Sequence, residues 1–230
     1  MAASAPELTG ARAAAAPFRV FLLSPADCSG RRAALLQREE AGHDLARRLR
    51  GEDGAELGDV FSFISSLYFR GKLAYARAFA RPPRGSAGVH VITPCDGLQE
   101  PESKVRLGDL VRFGRVPVDP KEALYRRPLL RDLTALAPSW AEAEVVLLGS
   151  VASSKYADLI APALGGPLVF PADFVGRGDM SRGGLMLRSV REGRELLYVP
   201  LDGTARRGPR PPRLPPLPRA ATVIRGADPE

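Results

Sequence analysis

The sequence is short of almost everything that marks a metal or disulfide protein. Its 230 residues include two cysteines, Cys28 and Cys95, and two histidines, His43 and His90. Two distant cysteines make no disulfide framework. Four scattered Cys and His residues also fall short of a structural zinc site, which takes four close ligands. No metal and no other cofactor is expected. No apolar run approaches the roughly 18 residues of a membrane-crossing helix, so no membrane partner is expected either. The opening "MAASAPELTGARAAAAPF" lacks the basic start and long apolar stretch of a secretory signal. Residues 1–17 read as a disordered, Ala-rich lead-in, and the expected location is the cytoplasm.

Lysine is scarce too, contributing four of the 33 basic residues. The net charge is +7, and residues 204–230 carry six arginines against Asp228 and Glu230, so more than half of the excess sits in the tail. An arginine bias beside abundant Ala, Gly and Pro is what GC-rich coding sequence produces. Arginine number alone is therefore no argument for nucleic-acid binding. The tail "TARRGPRPPRLPPLPRA" is basic, Pro-rich and extended, with PxxP spacing. It has no interleaved aromatics on which bases could stack.

What remains is a chain that is 45% hydrophobic, enough to bury a core. Its length suits one domain over residues 18–203 with short appendages. "FRVFLL" (18–23), "VHVIT" (89–93), "VVLLG" (145–149) and "PLVF" (167–170) are short apolar runs that read as buried strands. Between them lie helical patterns. Residues 31–50 carry a leucine stripe interrupted at Gly42, so they read as one helix or two pieces. A second helix enters near Ser65 or Ser66 and ends before "RPPRGSAG", and a third spans 126–138 with Pro128 near its first turn. Ser153 suits the cap of a helix after the third strand. "LMLRSV" and "ELLYVPL" around "REGR" give a β-hairpin signal. The expected fold is α/β, a three-layer Rossmann-like arrangement with a mainly parallel open sheet and a C-terminal β-hairpin at one edge.

In such sheets ligands bind outside the carboxyl ends of the strands. That rule selects four segments, at 24–30, 93–102, 149–155 and 171–184. The last lies in "FPADFVGRGDMSRGGLMLRS" and reads as an anion-binding loop. Its glycines, Gly178 among them, allow close backbone approach. Arg177 and Arg182 are suited to a phosphate or carboxylate, and Asp179 to an arginine or a ligand hydroxyl. "GSVASSK" lacks the second glycine and the Ser/Thr of a Walker motif. Ser150 and Lys155, next to a helix N-terminus, still suit an anion. Ser24 and Ser65 are candidate hydrogen-bond partners of the ligand, and Lys72, in the same segment as Ser65, is a candidate anion-binding residue. Asp96, just after a buried strand in "TPCDG", is the candidate catalytic base or nucleophile, although Asp-Gly is also a turn dipeptide. Neither a Cys–His pair nor G-x-S-x-G stands out.

The order "FLLSPADCSG", "SSLYFRGKLAYARAF", "VHVITPCDGLQEPES", "VVLLGSVASSKYADLI" resembles a loose group of α/β proteins. The group includes the peroxide-stress YaaA family, the core domain of archaeosine synthase, and uncharacterised bacterial domains related in fold to uracil-DNA glycosylases. Those relatives often carry a lysine after the first strand, where Asp27 and Arg31 stand here. The resemblance implies a Rossmann-like fold and a link to nucleotides, nucleobases or nucleic acid. The leading expectation is a protein that binds a phosphorylated, nucleoside-like or nucleic-acid ligand at the strand carboxyl ends, acting at a glycosidic or base-exchange step that needs a carboxylate. The alternatives are a non-enzymatic nucleic-acid-binding or stress-response protein, and a partner-binding module using the Pro-rich tail.

Overall fold

The structure is a computed structural model that describes residues 17–152, 155–166 and 168–215. In chain order the elements are β1 (Phe18–Leu23), α1 (Arg31–Gln37), α2 (Asp44–Arg50), β2 (Ala55–Glu56), α3 (Leu57–Ser65), α4 (Leu67–Phe79), β3 (Val89–Ile92), β4 (Leu98–Gln99), β5 (Lys104–Val105), α5 (Leu107–Arg115), α6 (Ala123–Leu136), β6 (Ala143–Leu148), α7 (Ala157–Leu164), β7 (Leu168–Pro171), α8 (Asp179–Glu192) and β8 (Tyr198–Pro200). The fold is α/β. Six strands form one sheet in the order β4-β3-β1-β6-β7-β8, and β2 pairs with β5 in a small separate ladder.

The four expected strands make the parallel centre of the sheet. β1 pairs with β3 on one side and β6 on the other, and β6 pairs with β7. Val20 to Leu23 are all fully buried, as are Val146 to Leu148. Consecutive buried residues on a strand mean that both faces are covered, which is why these strands read as unbroken apolar runs rather than alternating ones. The antiparallel strands β4 and β8 lie at the two edges. No described helix is long and apolar enough to cross a membrane.

The interruption at Gly42 does divide the first helical stretch into α1 and α2. At the start of β1, buried Arg19 pairs with Glu144 and Glu195 and lies 4.5 Å over the Tyr198 ring. That pairing ties the central strand to the segment leading into β8.

The largest departure from the sequence pattern lies at Phe170–Ser189. This stretch is not a loop: after one 3₁₀ turn at Ala172–Phe174 it becomes α8, and "LMLRSV" is helix rather than strand. The edge strand β8 is antiparallel to β7, but α8 lies between them in the chain, so no hairpin turns at "REGR". The period is helical, since Arg182, Gly183, Met186 and Ser189 are the residues α8 buries. The glycines misdirect because they serve packing. A Cβ on Gly183 would lie 2.6 Å from the Leu67 carbonyl oxygen, and one on Gly71 would lie 2.7 Å from the Gly183 oxygen. Helices α4 and α8 thus cross backbone against backbone. The described part of the tail runs along α8, with Leu214 facing Gly184 and the Pro212 carbonyl accepting from Arg177. Residues 1–16 and 216–230 lie outside the described residues, as does Ser153.

The two adjacent glycines of α8 are expected to respond oppositely to alanine. Gly183→Ala overpacks the crossing and should cost about 2–3 kcal/mol. Gly184→Ala meets nothing closer than 3.7 Å and should be neutral or gain up to ~1 kcal/mol from helix propensity. Urea denaturation of both variants checks this, and equal losses would sink the packing account.

Candidate functional site

The crossing of α4 and α8 decides what lies beneath the end of β1. Tyr68, Lys72, Tyr75 and Ala76 follow one another at helical spacing on the buried face of α4. Lys72 is therefore carried inside, with no exposed surface. Its Nζ donates to the Ser24 carbonyl oxygen at 2.5 Å and to Ser24 Oγ at 2.8 Å. The rings of Tyr68 and Phe69 lie 4.5 and 4.9 Å from the nitrogen. Burial pushes the ammonium down to about 7; Asp179 opposes that shift and Arg182 adds to it.

Ser24 is the first residue after β1, and it opens onto a cavity of about 670 Å³. The walls come from six places: Ser24–Ser29 after β1, Ser65 and Tyr68 at the α3–α4 turn, Pro94 after β3, Phe113–Asp119 at and after α5, Ser150, Lys155 and Tyr156 after β6, and Asp179 at the start of α8. Two close approaches shape it. A Cβ on Gly114 would meet the Cys28 carbonyl oxygen at 2.8 Å, and one on Gly149 would meet the Ser24 Cβ at 3.0 Å. Glycine at 114 is what lets α5 close over the first loop, and glycine at 149 eases the tight passage of the β6 exit beside Ser24. Strain lies alongside. Ser66, between α3 and α4, has φ 50° and ψ −123°, a region that costs a non-glycine residue about 1–3 kcal/mol.

The cavity occupies the place where the sheet's connections diverge. β1 and β6 are neighbours, but from β1 the chain goes to β3 on one side and from β6 to β7 on the other. Their exit loops separate and leave a crevice at the carboxyl ends.

Of the residues singled out in the sequence, Ser24, Ser65, Ser150, Lys155 and Asp179 all line this cavity. Lys72 stands directly behind Ser24. The others are elsewhere. Arg182 is buried, its Nε and Nη2 donating to the Phe174 carbonyl oxygen at 3.2 and 3.0 Å and its Nη1 to Asp179 at 3.3 Å. Arg177 donates to Ser181 Oγ at 3.3 Å and, with Gly178, faces a shallow groove against the tail. Asp96 sits in the tight turn between β3 and β4, where Thr93 Oγ1 accepts from its backbone N–H and Arg112 donates to its carboxylate at 2.5 Å. It opens to a different hollow, beside Arg131 and Lys104. Gly97 holds that turn at φ +70°.

Sequence reasoning missed the two phenols and most of the carboxylates. The Tyr68 hydroxyl is buried and has no hydrogen-bond partner among the described residues; it lies near the Arg182 guanidinium without reaching hydrogen-bond geometry. Tyr156 is pushed up to about 12 by burial, with Ser24 close to its hydroxyl. Asp27 and Asp119 also line the cavity. The spacing Tyr68-x-x-x-Lys72 on an apolar helical face was the available signal for the first phenol and the buried lysine. Cys28, also in the wall, is pushed up to about 12 by burial and is a poor nucleophile near neutral pH. Comparison of the chain with protein-family models, with curated proteins and with solved structures gives no match.

Burial of Lys72 links stability to pH. Unfolded, the side chain titrates near 10.5, and folded near 7. Between those values the unfolded chain holds the extra proton, so stability rises with pH. The buried thiol of Cys28, raised from about 9 to about 12, works in the opposite direction, but takes hold only as the pH nears 9. Denaturation at intervals from about pH 7 to 9 should therefore show a rising stability that Lys72→Met flattens. A wild-type profile as flat as the variant's would mean that Lys72 keeps its ordinary titration.

Proposed function

We propose that the protein binds a nucleoside-like or sugar-phosphate ligand in the cavity at the carboxyl ends of β1 and β6. The observation that carries this reading is the cavity's place at the divergence of the β1 and β6 connections, where open parallel sheets hold their ligands. Its lining suits the class. The carboxylates of Asp27 and Asp179 match sugar hydroxyls, and Lys155 and Ser150 match a phosphate. The resemblance to the YaaA and archaeosine-synthase group, with a three-layer Rossmann-like arrangement, agrees with a ligand of this class. A glycosidic or base-exchange step would fall to Asp27 or Asp179 rather than to Asp96, because those two face the cavity and Asp96 faces Arg112.

A thermal-shift series of the full chain against nucleosides, nucleotides, nucleobases and sugar phosphates tests this. A ligand at 100 times its Kd adds about 2.7 kcal/mol, roughly 5–10 °C in Tm at this size. Lys155→Ala combined with Asp179→Asn should remove the shift, and Asp96→Asn should keep it. A folded sample that responds to none of these ligands, or a shift that survives the double variant, overturns the reading.

A further inference from the structure

We propose that Ser24 is a nucleophile and Lys72 its general base, acting on the carbonyl of a carboxylic ester held in the cavity. The proposal rests on the reading of that cavity as the ligand site, and gives it an ester-cleaving step in place of the glycosidic or base-exchange one. Three geometric facts converge on the pair. Ser24 lines the cavity, at the end of the central strand. Lys72 Nζ is 2.8 Å from that oxygen, reached from below through the packed helix α4. The side chain of Lys72 has no exposed surface, and Ser24, which it contacts, lines the cavity.

A neutral amine has two N–H donors and one lone pair. Charged, Nζ donates to both Ser24 oxygens; once neutral it can keep the bond to the carbonyl oxygen while the contact with Oγ reverses, the lone pair then accepting from the Ser24 hydroxyl. The groups facing the amine are Asp179 and Arg182 from α8, with opposed effects on its charge, and the rings of Tyr68 and Phe69 from α4. Burial dominates and depresses the ammonium to about 7, which suits a base working near neutrality. Other nucleophiles at the site are less well served. The thiol of Cys28 is held protonated, and Ser65 has no hydrogen-bonded base among the described residues.

In the step proposed, Ser24 Oγ bonds to the carbonyl carbon as its proton passes to Lys72 Nζ. The carbon–alkoxy bond breaks, and the alcohol leaves with the proton from Lys72. Water then adds to the acyl carbon, giving its proton through Lys72 to Ser24 Oγ as the carboxylic acid departs. The Tyr156 hydroxyl beside Ser24 stays protonated and is a donor for the carbonyl oxygen as it gains charge.

The test uses the full chain and an alkyl fluorophosphonate, which forms an Oγ–P bond with loss of fluoride. Peptide mass analysis should place the label on Ser24. Its rate should climb with pH through about 7 and then level, and p-nitrophenyl acetate hydrolysis should follow the same profile. Ser24→Ala should take no label. Lys72→Met should slow labelling at least about 100-fold while keeping the helical signal of the wild type. Absence of label on folded protein at about pH 8.5, label on another residue, or an unchanged rate in Lys72→Met overturns the proposal. Should Lys72→Met fail to fold, a flat wild-type rate from about pH 6 to 9 overturns it equally. A nucleoside-induced thermal shift without Ser24 labelling removes the nucleophile and leaves the ligand reading intact. Labelling without any such shift keeps the Ser24–Lys72 pair and removes the nucleoside reading.

Discussion

The structure turns on one contact, where α4 and α8 meet without side chains between them at Gly71 and Gly183. Such an approach is open only to glycine, and it seats α4 so deep that a lysine on its inner face has nowhere to go but under the end of β1. The lysine's hydrogen bonds to Ser24 follow from that placement. So does the depressed ammonium, since desolvation of a cation is costly unless it is paired or gives up its proton. The same helix seating leaves the Tyr68 hydroxyl buried beside the cavity and fixes where α8 begins, which places Asp179 on the cavity's rim.

The cavity itself is a product of sheet order rather than of any one motif. Its walls come from segments more than a hundred residues apart, brought together because β1 is the central strand and β6 its neighbour. Polar side chains gather there because the chain exits the sheet through short loops of serine, aspartate and glycine at those strand ends. Arg19 with Glu144 and Glu195, at the start of β1, ties the central strand to β6 and to the segment entering β8. The strands are anchored at one end while the carboxyl ends remain free to shape a site.

The unbroken apolar runs were legible because strands covered on both faces need no polar alternation. The exits of those strands were legible for the same reason, and five residues chosen from them and from the α3–α4 turn do meet at one cavity. The arginines of "GRGDMSRGG" were the misleading feature. Arg182 binds the Phe174 carbonyl and Asp179 inside the protein, and Gly183 serves the helix crossing. A loop that binds anions and a helix that must pack tightly draw on the same glycines, and local sequence cannot separate them. Asp96 illustrates the same ambiguity, for its Asp-Gly is a turn held by Thr93 and paired with Arg112.

The sequence by itself determined the class of fold, the four central strands and the segments that leave them, because hydrophobic periodicity and glycine or proline punctuation are local properties of the chain. Tertiary structure alone decided that "LMLRSV" is helix, that Lys72 lies beneath Ser24 rather than at the surface, and that Tyr68 and Tyr156 join the site. Those outcomes depend on which backbone approaches which. That is settled by the packing of α4 on α8 and by the order of strands in the sheet, neither of which is written in any single stretch of residues.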